Sequence, residues 1–379
     1  MKYNKPNLHY KRTIAFSLVL LFSIDIANAQ LSMETGASHG YEWNIFRNPE
    51  LLVQKSDTLG REQLWQNSDY NEFFLEVDYL KKWGSSKLRL SGDITSDIYH
   101  QQGNAQKEYY KVSLSYRTKY ASRKFFEFSP SYARKKQAEI SESDNIFRNR
   151  RSYSQFTAPL HFDFYLKKKA WLRLETGYRY RSYDISRGEK TAYYGFNAEA
   201  LFSKRWVSRI RSEFELEAEW NTRNQTEEEI GSEPIKLSKR IYSSYRFRTA
   251  LSFESLSKSI QIKFPFTYKT FSDSPTERFN YTQFEGGMRL SFRMGKSRLT
   301  QSMTGTIRNF TNLSVSNGEL LNYNYVRSST RLTVPVLNRL EYTIRASLVH
   351  RISNRSGISS SSFRGFTNSY VETGFSIKL

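Results

Sequence analysis

The sequence predicts an all-β fold: one closed, antiparallel transmembrane barrel of about sixteen strands. Three observations predict it. After residue 29 the dominant period in the pattern of apolar residues is two, the period of a strand. The connections between the periodic runs alternate between tight turns and longer polar loops. The first residues read as an export leader, and no later window is apolar enough for a membrane-spanning helix.

The leader comes first. Lys2, Lys5, Lys11 and Arg12 precede an apolar run from Ile14 to Ile24, which ends in Ala27-Asn28-Ala29 and then Gln30. A basic start, a short apolar stretch and an A-x-A site are the parts of a cleaved signal peptide. The run is shorter than the roughly 20 residues a spanning helix needs. Cleavage after Ala29 divides the chain into a signal peptide, 1–29, and a single barrel domain, 30–379. The chain has no Cys, so lipid attachment at a cysteine, disulfides and thiolate metal sites are excluded.

Removing four cations and one acid with the leader from the 58 Lys/Arg and 37 Asp/Glu leaves 54 against 36. So basic a chain in the cytosol would point to nucleic acid; export argues against it, and no nucleic acid, cofactor or metal is expected. Hydrophobic residues make up only 38%, but there are 26 Tyr and 27 Phe. A transmembrane barrel presents only alternate residues to lipid, so its mean hydropathy is low.

Sixteen strands are predicted: 32–45, 71–82, 87–100, 107–118, 124–135, 153–166, 170–183, 191–203, 206–220, 241–253, 259–270, 281–293, 298–310, 323–334, 339–351 and 366–379. In 170–183, Leu172, Leu174, Thr176, Tyr178 and Tyr180 alternate with Arg173, Glu175, Gly177, Arg179 and Arg181. The strands at 298–310 and 323–334 carry the weakest pattern, with Gln301, Asn309 and Ser328 on the expected lipid face. Tight turns include Gly84-Ser85, Lys204-Arg205 and Gly295-Lys296; long loops include 46–70, 136–152 and 221–240. Short turns on the periplasmic side and long loops outside are the outer-membrane arrangement, with both termini periplasmic. Pro130, Pro159 and Pro265 fall inside strands, where each removes a ladder donor, and are expected at bulges. Trp43, Trp83, Trp171, Trp206 and Trp220 fall near strand ends, the place for an aromatic girdle.

The last strand ends Glu372-Thr373-Gly374-Phe375-Ser376-Ile377-Lys378-Leu379. This stretch resembles the terminal signal of Gram-negative outer-membrane β-barrels, in which Gly374, Phe375, Ile377 and Leu379 stand at the motif positions; Leu379 replaces the more usual Phe. The resemblance is to a porin-like superfamily, not to one family. It implies an outer-membrane location, contact with lipid and lipopolysaccharide, and recognition by the barrel-assembly machinery.

If alternate residues face lipid, the others line a lumen. The acidic set there is Glu34, Glu72, Glu76, Asp78, Asp93 and Asp97. The basic set is Arg173, Arg179, Arg181, Arg246, Arg248, Arg289, Arg308, Arg327, Arg331 and Arg345. Opposed arcs of charge make a transverse field and focus counter-ions; cross-strand pairs that merely fill the lumen are the plainer account, and Glu213 to Glu219 beside Arg246 and Arg248 suit it. Sixteen strands leave room for water. The expectation is a passive, mildly anion-preferring pore. The alternative is a non-conducting barrel of a secretion or attachment complex, with loops 46–70 and 221–240 as sites for a surface or periplasmic protein partner. A barrel hydrolase ranks last: no GxSxG, HExxH or P-loop is present, and His161 reads as an isolated lumen residue. No catalytic residue is nominated.

Overall fold

Alternation of polar and apolar side chains over 13 to 18 residues makes strands longer than a soluble sandwich requires, and here they build one sheet closed on itself. The computed structural model describes residues 29–48, 51–54, 57–137, 152–166, 169–184, 190–225, 238–274, 277, 279–315, 318–354 and 365–379. The sixteen staves are β1 Ala29–Trp43, β2 Ser68–Trp83, β3 Ser86–Tyr99 and β4 Lys107–Ala121. Then come β5, in two segments Lys124–Phe128 and Ser131–Gln137, β6 Tyr153–Tyr165, β7 Ala170–Asp184 and β8 Lys190–Val207. The second half is β9 Ile210–Gln225, β10 Ser238–Glu254, β11 Ile260–Ser274 and β12 Tyr281–Met294. It ends with β13 Ser297–Ser314, β14 Leu320–Pro335, β15 Leu340–Ser353 and β16 Phe366–Lys378.

Each stave pairs antiparallel with the next, and β16 returns to β1, with Glu34 opposite Lys378 and Ser38 opposite Gly374. Closure leaves no edge strand, as a barrel in lipid requires. Met33 and Leu379 exchange backbone hydrogen bonds, so β1 begins and β16 ends at the rim that carries the short turns. Along the seam, Gly36 and Gly40 of β1 lie beneath the rings of Phe74 and Tyr70 of β2. A ring folded over a cross-strand glycine covers bare backbone and pins the register.

Charged side chains identify the inner face. Arg345 of β15 lies 3.5 Å from Glu72 of β2, and Arg179 of β7 lies 2.7 Å from Glu219 of β9. Pairs between staves that are not neighbours close only across a concave surface. The opposite face presents large apolar side chains, among them Phe73, Phe196, Leu216 and Phe375, to the surroundings.

Two local expectations are corrected. The prolines are not at bulges. β5 pairs in one continuous register on both sides of Ser129-Pro130, and Pro159 stands beside that gap. The Pro159 carbonyl accepts from Ser129 N–H, so the side of Pro159 that lacks a donor faces the place where β5 itself is interrupted. Two absent donors thus share one break. Pro265 likewise interrupts the ladder to β12 without shifting it. The turn expected at Lys204-Arg205 is four residues later, at Ser208-Arg209, because β8 continues through a register shift between Arg205 and Val207. Trp206 therefore ends β8 instead of opening β9.

Candidate functional site

From one rim of the lumen to the other, many of the predicted charges neutralise one another. Arg173 donates twice to Asp163, at 2.7 and 3.2 Å, and Arg117 reaches the same buried carboxylate at 2.9 Å. Arg246 bridges Glu215 and Glu217, Arg248 holds Glu215 at 2.9 Å, and Lys263 holds Glu213 at 2.5 Å. Arg345 pairs with Glu372 and Glu72, Arg89 with Asp78, and Lys107 with Asp97. Glu199, Glu215 and Glu217 bring carboxylate oxygens within 4.8 Å of one another, but Arg246 already supplies their counter-charge. These pairs brace the wall, and Arg173, Arg246, Arg248 and Arg345 of the predicted basic set belong to them.

A different situation holds at the short-turn mouth. A cavity of about 1020 Å³ lies there, bordered by Arg289, Arg293, Arg298, Arg331, Lys296 and Glu341. Among the described residues, none of these four arginines has a carboxylate within 4.0 Å. On the neighbouring arc Glu34, Glu76 and Asp93 stand in one cross-strand row on β1 to β3, and Glu76 and Asp93 have no cation within 4.0 Å among the described residues. Cations and carboxylates without a partner within 4.0 Å thus occupy separate arcs of the wall.

At the long-loop mouth the chain after β1 turns inward. Ile45 and Phe46 are buried against Tyr70, Tyr99 and Ala105. Asn44 donates to Thr367 O and Asn48 O, and Asn48 donates to Leu64 O. The loop then forms a small hairpin, Leu51–Gln54 with Asp57–Gly60, and one helical turn, Arg61–Leu64. Asn145-Ile146-Phe147-Arg148-Asn149, which repeats the sequence of Asn44 to Asn48, lies outside the described residues, as does most of loop 221–240.

The same mouth carries a feature absent from the sequence prediction. Tyr153, Tyr183, Tyr193, Tyr242, Phe271, Tyr281, Phe310, Tyr323 and Tyr325 follow one another from β6 to β14, neighbouring ring centres 5.0 to 6.2 Å apart. All share the inner-face parity of the charged set. Guanidinium groups lie over them: Arg181 on Tyr153 at 4.6 Å, Arg223 on Tyr193 at 5.3 Å, Arg308 on Tyr281 at 4.3 Å, and Arg327 on Tyr325 at 4.9 Å. The signal was legible as tyrosines at the outer ends of strands on the polar parity. Aromatic side chains in a barrel strand read first as lipid-facing, which hides the pattern.

No family model matches the chain, and no curated protein matches it. Solved structures do. OprB of Pseudomonas putida is matched over 97% of both chains, at 8% identity and a TM-score of 0.50. OccAB3 of Acinetobacter baumannii is matched over 92% of this chain and 100% of that one, at 8% identity and a TM-score of 0.49. OmpTdeltaL8, a loop-deletion mutant of an outer membrane protein of Vibrio cholerae, is matched over 93% and 100%, at 9% identity and 0.45. The fold is that of the outer-membrane β-barrels.

Within that barrel the remaining predicted residues can be placed. Trp43, Trp83, Trp206 and Trp220 lie on the outer face near stave ends, two at each rim; Trp83 stacks on Tyr116, and Lys204 lies 3.6 Å over Trp206. Trp171 does not join them. It has the parity of Arg173, whose guanidinium lies 5.5 Å from its ring, so it faces inward. Gly374 lies on the inner face of the closing seam, with Phe375 and Ile377 outward; Ala29 opens β1, while Ala27 lies outside the described residues. His161 is not isolated. Its Nε2 is 3.3 Å from Ser129 Oγ and its Nδ1 3.0 Å from Glu175. The order Ser, His, Glu is that of a hydrolase triad. However, the N–H of Ser129 is spent on Pro159 O, and Asn197 also bonds Glu175.

Proposed function

We propose that this protein is a passive outer-membrane channel for small solutes that favours anions. The observation that carries the reading is the short-turn mouth, where Arg289, Arg293, Arg298 and Arg331 border a cavity of about 1020 Å³ without carboxylate partners within 4.0 Å among the described residues. Cations already bound in pairs contribute little field; these four act at full charge on an entering ion. The barrel sits with its basic short turns at the periplasmic side against anionic lipid headgroups, its acidic outer loops toward lipopolysaccharide, and its last strand read by the assembly machinery. It performs no chemistry.

Reversal potentials across a salt gradient in planar bilayers test the reading. An anion passing about 5 Å from one arginine gains about 0.5 kcal/mol in water at moderate salt, roughly twofold in permeability per charge. Arg289→Gln with Arg331→Gln should therefore reduce anion permeability about fivefold and, since each charge disfavours a cation equally, the anion-to-cation ratio about 25-fold. Cation preference, or no conductance in the purified protein, sinks it. The inward-folded loop with buried Ile45 and Phe46 favours the second reading, a closed barrel that serves a protein complex through its outer face or loops. Stable co-purification with a partner and no conductance would select that one.

A further inference from the structure

We propose that the aromatic-arginine collar at the long-loop mouth is a binding site for acidic oligosaccharides, reached from outside the cell. The inner wall of a water-filled barrel is ordinarily polar. Apolar surface left against water costs about 25 cal/mol per Å², so a row of rings there needs a reason. Part of the row has a structural one: Phe310 and Tyr323 are buried with Leu313, Val315 and Leu321 at the ends of β13 and β14, and Tyr281 packs against that cluster. Tyr153, Tyr183, Tyr193, Tyr242, Phe271 and Tyr281 are only half-buried and form an unbroken track over β6 to β12.

Of the cations over this track, Arg240 is paired with Asp273, while Arg181, Arg308 and Arg223 are held by stacking and by neutral partners. Arg181 donates to Gln155 and Arg308 donates to Gln283, amide oxygens that leave the positive charge uncancelled. Arg223 Nε is buried with no hydrogen-bond partner among the described residues. A small inorganic anion would use the arginines and leave the rings idle. A neutral sugar would use the rings and leave the arginines idle. A chain of sugar units bearing carboxylates uses both: its C–H faces lie on rings spaced about one strand apart, and its acid groups take paired N–H donors. The site lies at the outer mouth and does not require the lumen to conduct, so it stands or falls separately from the channel reading.

The test is calorimetry on the purified full-length barrel with tri-galacturonate, its neutral methyl ester and benzoate as probes. Tri-galacturonate should bind, and the ester about tenfold more weakly or less. Tyr193→Ala with Tyr242→Ala, and separately Arg308→Gln, should each weaken tri-galacturonate about tenfold. Tyr242→Leu keeps apolar bulk without a flat ring and guards against a folding defect, and it should show the loss too; barrel integrity is read from the heat-shifted gel band. Four results would overturn the proposal: no binding of tri-galacturonate, equal binding of acid and ester, undiminished binding by folded ring variants, or benzoate binding as tightly as the trisaccharide. Conductance measured on the same preparations reports on the channel alone.

Discussion

Gly374→Val should prevent the barrel from closing properly. Gly374 lies opposite Ser38 across the β16–β1 seam. A Cβ at that position would stand 2.4 Å from Ser38 Cβ and 2.5 Å from Ala37 O. Carbon atoms in contact sit about 3.5–4.0 Å apart, so the seam must widen by about 1 Å. Hydrogen bonds near 2.9 Å stretched by that amount fall outside useful geometry. Two lost ladder bonds at about 0.5–1.5 kcal/mol each, with about 1–3 kcal/mol of overpacking, give a loss of roughly 2–6 kcal/mol. Gly286→Val is the matched control, since a Cβ there meets nothing within 4 Å. The assay is urea unfolding of barrels refolded into lipid, with the heat-modifiable gel band as a second reading. A Gly374→Val protein with the wild-type midpoint and band would refute the seam argument.

Three further outcomes follow from the same structure. Asp163→Asn strips the carboxylate shared by Arg173 and Arg117 and should cost about 2–3 kcal/mol in the same unfolding assay, the low end for a broken buried pair because both arginines are partly wet. In single-tryptophan variants, brominated lipid should quench Trp83 and Trp206 and spare Trp171; quenching of Trp171 would place it outside. A fluorophosphonate probe should leave Ser129 unlabelled, and labelling abolished by His161→Ala would make the protein a hydrolase after all.

The sixteen staves, their order and the direction each residue faces were readable in the chain, because a period of two in a closed sheet fixes facing residue by residue. Strand ends moved where side chains continued a ladder past charged residues: Lys204 and Arg205 look like a turn, yet Lys204 lies over Trp206 on the outer face. The two staves with the weakest pattern formed all the same. Gln301 on their outer face donates to Ser328 and accepts from Thr330, so the polar groups satisfy one another.

Parity, then, was written in the sequence, though Trp171 was assigned to the girdle and Asp163, Arg117 and Glu372 were not in the predicted charged sets. Which of the inner-wall charges remain uncancelled only the tertiary structure decided. Compensation depends on partners from staves far apart in the chain, such as Arg345 with Glu72, and on an inner circumference that no single strand encodes. The collar depends on the same thing. Each tyrosine alone is a strand residue on the polar parity; only the closed register sets the rings side by side, with arginines across their faces.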